Sequence, residues 1–425
     1  MKLSKKIVAV LLAVVLAVAG AFVACSKGGE TTDDTTKAAD TAKDVKIGFI
    51  FLHDENSTYD LNFINAAKEA CKALGVESVL KTNIPEGNEC YDAAADLVDQ
   101  GCNIVFADSF GHEDYLIKAA KEFTDVQFCH ATGTKAHTEN LSNYHNAFAS
   151  IYEGRYLAGV AAGMKLNEIK EAGKLKGDVP KMGYIGAYTY AEVISGYTSF
   201  YLGAKSVCED VVMDVKFTGS WYDETAEKEA AQTLIEGGAD LISQHADSMG
   251  APTACENAGI PDVSYNGSTV DACPNTFIVS SKINWAPYFK YIVESVQNGT
   301  AIDADWTGTI ATGSVELTEV NEKAAAKGTQ EKIDEVKADL EAGKIHVFDT
   351  ANFTVTKDEK NKVNLNATVD DKGVLTGYMA DVDTDEAYQG DTEVVKDGYF
   401  HESEYRSAPY FDITLDGITL LNTAF

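Results

Sequence analysis

Eight times along this 425-residue chain a short apolar run ends and polar and aromatic residues follow at once. His53–Tyr59, Asp108–Gly111 and His130–Gly133 lie in the first part; Tyr188–Glu192, Ser220–Asp223, Gln244–Asp247, Asn266–Ser268 and Lys282–Trp285 come later. Open α/β sheets bind ligands at the carboxyl ends of their strands, so these are candidate contact points. Tyr59, Phe110, Tyr188 and Trp221 can sandwich a flat ring, while Asp247, Asn266 and Lys282 hydrogen-bond its edge or an attached sugar. His130 and His245 read as hydrogen-bonded loop or core histidines, Asp223 as a helix cap, and His112-Glu113-Asp114 as a solvated helix start. No G-x-x-x-x-G-K-[ST], G-x-G-x-x-G, G-x-S-x-G or H-E-x-x-H string is present, so binding is expected and not catalysis, with no cofactor and no metal.

The elements that must position these residues are legible as alternating patterns. Strands are expected at Val45–Leu52, Ser78–Lys81, Ile104–Ala107, Val126–His130, Lys181–Ala187, Val211–Thr218, Leu241–Ser243, Val263–Tyr265 and Phe277–Ser280. Near-continuous apolar runs such as Ile47–Leu52 suit strands buried on both faces of a parallel sheet. Between them, stripes such as Phe63, Ala67, Ala70 and Leu74 have helical spacing, and Gly75, Gly101 and Gly238 stand where left-handed caps end helices. The order predicts a doubly wound α/β architecture in two lobes, with the chain crossing between them in Leu141–Met164. Thr318–Gly343 reads as an exposed helix. Beyond it the chain becomes β-rich, with hairpin-turn signals at Asp397-Gly398 and Asp416-Gly417.

The N-terminus supplies an address. Lys2, Lys5 and Lys6 precede an uncharged apolar run, Ile7–Ala24, which makes a secretory signal. Val23-Ala24-Cys25 resembles a bacterial lipobox, although Phe22 stands where Leu is usual, so Cys25 is the expected lipidation site. Ser26–Asp44 lacks large apolar residues and reads as a solvated tether to the outer face of the cell membrane. Net charge excludes other roles: 66 acidic groups face 35 basic ones, a balance of −31. Such a chain cannot neutralise a phosphate backbone or coat an anionic membrane, so no nucleic-acid polymer is expected. Losing Cys25 to the lipid leaves seven cysteines, with no C-x-x-C pair; Cys71, Cys102, Cys129 and Cys208 read as buried small hydrophobes.

Several strings are similar to the basic membrane protein family of ABC-importer solute-binding lipoproteins. They are Lys46–Ile50, Phe128–Gly133, the Glu153–Gly159 string E-G-R-Y-L-A-G, Trp221-Tyr222-Asp223, Gln244–Ser248 and Asn284–Tyr288. The resemblance implies a type I periplasmic-binding-protein fold, with the ligand held between two Rossmann-like lobes that close by hinge bending. It implies a purine nucleoside or purine base stacked between Tyr59 and Trp221, with Phe110 and Tyr188 lining the pocket and Asp247 on a polar edge. It also implies an ABC permease as partner. Lys282 resembles a lysine of the nucleoside-binding branch, whereas Asn266 replaces a usual Asp that serves ribose hydroxyls. The expected layout is a signal over 1–24 and the lipidated Cys25 with its tether over 25–44. The N-terminal lobe follows over 45–160 plus about 267–300, the second lobe over 161–266 plus part of 301–344, and the extension over 345–425. A surface sensor with the same cleft, or a nucleoside hydrolase, would be the alternatives.

Overall fold

Residues 44–382 and 392–423 are described by the computed structural model. The expected signal peptide, Cys25 and nearly all of the tether lie outside these residues. Among the described residues no helix is long and apolar enough to cross a membrane.

Two parallel sheets organise the chain. The first has β1 (Lys46–Ile50), β2 (Glu77–Lys81), β3 (Ile104–Ala107), β4 (Gln127–Ala131) and β5 (Tyr144–Ala149). The second has β6 (Lys181–Gly186), β7 (Val212–Phe217), β8 (Leu241–Gln244), β9 (Asp262–Tyr265) and β10 (Phe277–Ile283). Then β11 (Asp305–Gly308) returns to the first sheet beside β5, and β12 (Val315–Leu317) joins the second, antiparallel to β10. The orders are β11-β5-β4-β3-β1-β2 and β12-β10-β9-β8-β6-β7. In each sheet the strand order reverses beside the first strand of its lobe, which opens a crevice at the carboxyl ends. The expected α/β class and two-lobed fold are therefore present.

Two helices show why the sequence folds as it does. Thr58–Leu74 starts at Ser57, whose hydroxyl accepts from the Asp60 amide, and stops at Gly75 in the left-handed conformation (φ 67°). Its apolar face, through Phe63, stacks on Trp285 at 4.5 Å between ring centroids, in a cluster with Phe49, Phe106 and Phe289. Ile151–Glu171 crosses helix Ala191–Lys205 so closely that a Cβ on Gly159 would lie 2.0 Å from the Phe200 carbonyl oxygen. The second glycine of the E-G-R-Y-L-A-G string is thus a packing requirement.

Several boundaries differ from expectation. Tyr144–Ala149, read as a polar crossing segment, is a fully buried strand. Its polar residues deceive because they are satisfied by neighbours: His145 bonds the Asp303 carbonyl and the Gln127 side-chain oxygen Oε1, and Asn146 accepts from the Ala136 amide. The first crossing falls at Ser150, and the whole of helix Ile151–Glu171 packs on the second lobe, not the first lobe to residue 160. Residues 267–300 divide, with β10 in the second sheet and helix Ala286–Asn298 packed on Thr58–Leu74 in the first lobe. Helix formation in Thr318–Gly343 is confined to Thr329–Glu341, and it is amphipathic, burying Ile333, Val336 and Leu340. The chain thus crosses three times, near residues 150, 284–285 and 309–314.

Past residue 344, short strands at Ala367–Val369, Leu375–Ala380 and Thr392–Glu393 form a small sheet, and Val395–Lys396 pairs with Tyr399–Phe400. Asp397 and Gly398 both have positive φ, as a type I′ hairpin needs. Asp416-Gly417 instead leads into Ile418–Leu420, which lies parallel to β7 at the edge of the second sheet. All seven cysteines among the described residues are buried and unpaired.

Candidate functional site

A cavity of about 300 Å³ lies where the carboxyl ends of the two sheets face each other. That is at the lower end of the ~300–1,000 Å³ range of small-molecule sites, enough for one compact ligand. The first lobe contributes Leu52, His53, Tyr59, Asp60 and Phe110, and the second contributes Tyr190, Glu192, Trp221, His245, Asp247 and Tyr265. Of the expected contacts, Tyr59, Phe110, Trp221 and Asp247 are therefore brought together.

The other three are placed differently. Tyr188 is behind the wall, stacked on Tyr190 at 5.1 Å and edge-on to Trp221 at 5.0 Å, so it buttresses the two aromatics that do line the cavity. Asn266, in the left-handed conformation at φ 63°, is buried one residue past Tyr265 and does not line the cavity; its Nδ2 has no partner among the described residues. Lys282 does not line the cavity either. It pairs with Glu316 directly across the β10–β12 ladder, Nζ to Oε2 3.1 Å.

On the first-lobe wall the carboxylate that lines the cavity is satisfied from within. Asp60 accepts from the His53 amide at 2.8 Å and the Ser57 hydroxyl at 2.6 Å. Burial alone would raise its pKa, but the His53 and Ser57 hydrogen bonds hold the carboxyl below its ordinary value. Neighbouring Asp108 is pushed well above the usual carboxylate range by burial and by the Asp60 charge. The Asp108 carbonyl accepts from the Tyr59 hydroxyl at 2.8 Å, fixing that ring. Glu113, expected at a solvated helix start, is buried instead. Its carboxylate accepts from the amides of Thr134 and Lys135 and from Tyr144, which shapes the loop after β4.

The second-lobe wall is built around a relay. Buried Arg155 donates to the Gln244 carbonyl at 3.1 Å and from Nη2 to His245 Nδ1 at 2.9 Å, with its guanidinium 3.4 Å from the centre of the Tyr265 ring. Arginine has no acceptor, so His245 Nδ1 accepts and the ring proton sits on Nε2, which donates to Glu192 at 2.8 Å. Burial lowers the His245 pKa and keeps it neutral. Asp247 is 4% exposed, and its carboxylate accepts no hydrogen bond from the described residues. Burial, then the charges of Asp60, Glu227 and Glu192, push it well above the ordinary value. Below it, Glu227 holds the Ser248 and Asp223 amides, and burial raises its own pKa to about 7. Asp223 caps helix Glu224–Glu236, as expected.

The lobes touch around the cavity. Thr58 donates its amide to the Asp247 carbonyl at 3.0 Å, and Phe110 meets Tyr190 with ring centroids 5.0 Å apart. A third contribution comes from the C-terminal extension, whose Arg406, Ala408 and Pro409 complete the lining. Among the described residues no cluster of His, Cys, Asp and Glu is arranged to hold a metal ion.

Two facing α/β lobes, three crossings and a ligand-sized cleft at the strand ends make a two-lobed fold with a small-molecule cleft. Among solved structures the fold matches an ABC-transporter solute-binding protein of Aeropyrum pernix K1, with a TM-score of 0.61 at 16% identity over 75% of this chain and 95% of that one. A solute-binding protein of Conexibacter woesei matches with a TM-score of 0.58 at 20% identity, over 71% and 98%. The model of the Bmp family, PnrA-like ABC transporter substrate-binding proteins, matches residues 30–347, and the chain belongs to that family. It is a family of extracytoplasmic solute binders and not of enzymes, as the missing catalytic motifs implied. Among curated relatives, the purine-binding protein of Brucella abortus is 35% identical over 62% of this chain and 72% of its own. A putative ABC transporter glucose-binding protein of Haloferax volcanii is 31% identical, over 48% and 49%. The ABC transporter nucleoside-binding protein of Lactococcus lactis is 28% identical, over 56% and 65%.

Proposed function

We propose that this protein is a lipid-anchored receptor that captures a purine base or purine nucleoside and delivers it to the permease of an ABC importer. The observation that carries this reading is a cleft whose two lobes both present aromatic rings, Tyr59 and Phe110 facing Tyr190 and Trp221, around one unpartnered carboxylate, Asp247. Rings on both sides suit a flat heterocycle, and a carboxylate among them suits the N–H groups of its edge. The purine-binding and nucleoside-binding relatives support the same ligand class; the Haloferax relative makes a sugar the comparison to test.

Closure about the three crossings would bring the aromatic walls onto the ring and expel water, which strengthens the Asp247 hydrogen bond. Tyr188 acts as a buttress and Lys282 takes no part. A thermal-shift panel of nucleosides, purine bases, riboflavin and sugars tests the reading. At one hundred times Kd a ligand stabilises by about 2.7 kcal/mol, so a purine is expected to give the largest shift. No shift with any purine would refute it. The anchor has its own test: Cys25→Ser should move the protein from the membrane fraction to the soluble fraction.

A further inference from the structure

The family match stops at residue 347, yet the cavity does not. Arg406, Ala408 and Pro409 sit on its wall, carried by a segment pinned to both lobes. On the second-lobe side, buried Glu402 accepts from Ser195 Oγ at 2.9 Å and from the amides of Tyr410 and Phe411 at 2.7 and 3.0 Å. On the first-lobe side, the Ser407 amide donates to Asp305 of β11 at 3.0 Å. Further on, Ile418–Leu420 lies beside β7. Residues 402–411 therefore form a strap laid across the cleft, and its position is fixed at each end.

Arg406 is 6% exposed, and its fork is only partly satisfied. Nε donates to the Ala408 carbonyl and Nη2 to the Pro409 carbonyl, both at 3.0 Å, while Nη1 has no partner among the described residues. A buried cationic donor without an acceptor is an uncommon arrangement, because the desolvated N–H groups remain unmatched. Here the arginine that carries it is part of the wall of a ligand site.

We propose that the C-terminal strap is a third wall of the ligand site, and that Arg406 is a specificity-determining residue that donates a hydrogen bond to an oxygen acceptor on an uncharged, flat ligand. The rest of the lining sets the charge. Asp60, Glu192 and Asp247 face the same cavity, so a phosphate or carboxylate would meet three acids for one guanidinium. A neutral ligand that donates to Asp247 and accepts from Arg406 matches both. The lactam edge of a 6-oxopurine, an N–H beside a C=O, carries the two functions together; a 6-aminopurine has no oxygen there. This inference rests on the purine reading above and narrows it to oxopurines.

The test is calorimetric titration of inosine, of purine riboside (which lacks the 6-oxygen) and of adenosine into the full protein and two variants. The wild type should bind inosine at least tenfold more tightly than purine riboside or adenosine. Arg406→Met should remove that preference, and Ala408→Phe, which fills the wall, should weaken all three at least tenfold with an unchanged melting curve. A wild type that binds inosine and purine riboside equally overturns the proposal without any variant, even if Arg406→Met fails to fold. So does an Arg406→Met protein that keeps the preference. If the wild type binds none of the three, the purine reading falls; Ala408→Phe tested with riboflavin and D-glucose then decides the third wall, and unchanged affinity for whichever is bound overturns it.

Discussion

The two lobes face the same cavity but treat their carboxylates in opposite ways. On the first-lobe wall Asp60 is enclosed by the His53 amide and the Ser57 hydroxyl, which hold it ionised. On the second-lobe wall Asp247 is as deeply buried but accepts nothing, and burial with nearby acids drives its pKa up. The first wall is finished by its own chain, whereas the second leaves a recognition group to be completed by a ligand. Burial alone therefore does not mark a binding residue; a buried group that lacks a partner and also lines the cavity is the better candidate.

The largest expected effect is on the aromatic wall. Trp221→Ala should weaken the best purine ligand by about 1–3 kcal/mol, roughly 5- to 150-fold, as base–aromatic stacking does elsewhere. Calorimetry checks it, and an unchanged affinity would mean the ring is only rim packing.

Next come the two acids, which should respond with opposite signs. Asp60→Ala strands the His53 amide and the Ser57 hydroxyl, and should lower stability by about 1–3 kcal/mol in chemical denaturation. Because the Asp60 pKa is depressed by folding, its contribution is full above the ordinary carboxylate pKa of ~3.8 and is lost as pH falls through the folded value. Asp247 is the reverse, since folding raises its pKa and its ionisation works against the fold as pH rises above that ordinary value. Asp247→Asn should therefore raise the apo melting temperature at pH 7–8 while weakening the ligand. A purine N–H donating to Asp247 favours the ionised form, so affinity should rise with pH in the wild type and lose that dependence in Asp247→Asn. A variant pair that loses stability equally would erase the contrast.

Smaller again is the rim. Phe110→Ala removes the contact with Tyr190 across the cleft, of a kind worth about 0.5–1.5 kcal/mol beyond area burial, and should appear as faster ligand release in stopped flow. The smallest effect is expected at Lys282. Its pair with Glu316 is about one-third exposed on both sides, a class worth ~0–1 kcal/mol, so Lys282→Met should leave affinity unchanged.

How much of this was legible in the sequence follows from where satisfaction comes from. β1 and β3 announced themselves because strands buried on both faces are continuous in apolar residues, as Ile104–Ala107 shows. β5 did not, since His145 and Asn146 look like loop residues until their partners 303, 127 and 136 are in place. The loop positions after the strands pointed to Tyr59, Phe110, Trp221 and Asp247 because chain direction alone aims them at the crevice. Tyr190 stood two residues from the expected Tyr188, an ambiguity that only the start of the helix at Ala191 resolves. Glu192 and His245 stood in segments read as contact points, and His245 as a hydrogen-bonded histidine, but their relay was hidden because it runs through Arg155 some 90 positions away from the histidine. Arg406 gave none either, because a strap crossing the cleft is a tertiary fact with no local pattern.

Of the three tryptophans, Trp221 alone lines the cavity; Trp285 is buried in the first-lobe core and Trp306 sits on β11. Intrinsic fluorescence followed during a titration with inosine and with hypoxanthine therefore reads the stacking wall itself. A saturable signal change should appear with at least one of them and vanish in Trp221→Phe, with the calorimetric affinity of that variant within a few-fold of the wild type. Binding detected by calorimetry with an unchanged Trp221 signal, or no binding of either purine, would contradict a purine held between the aromatic walls.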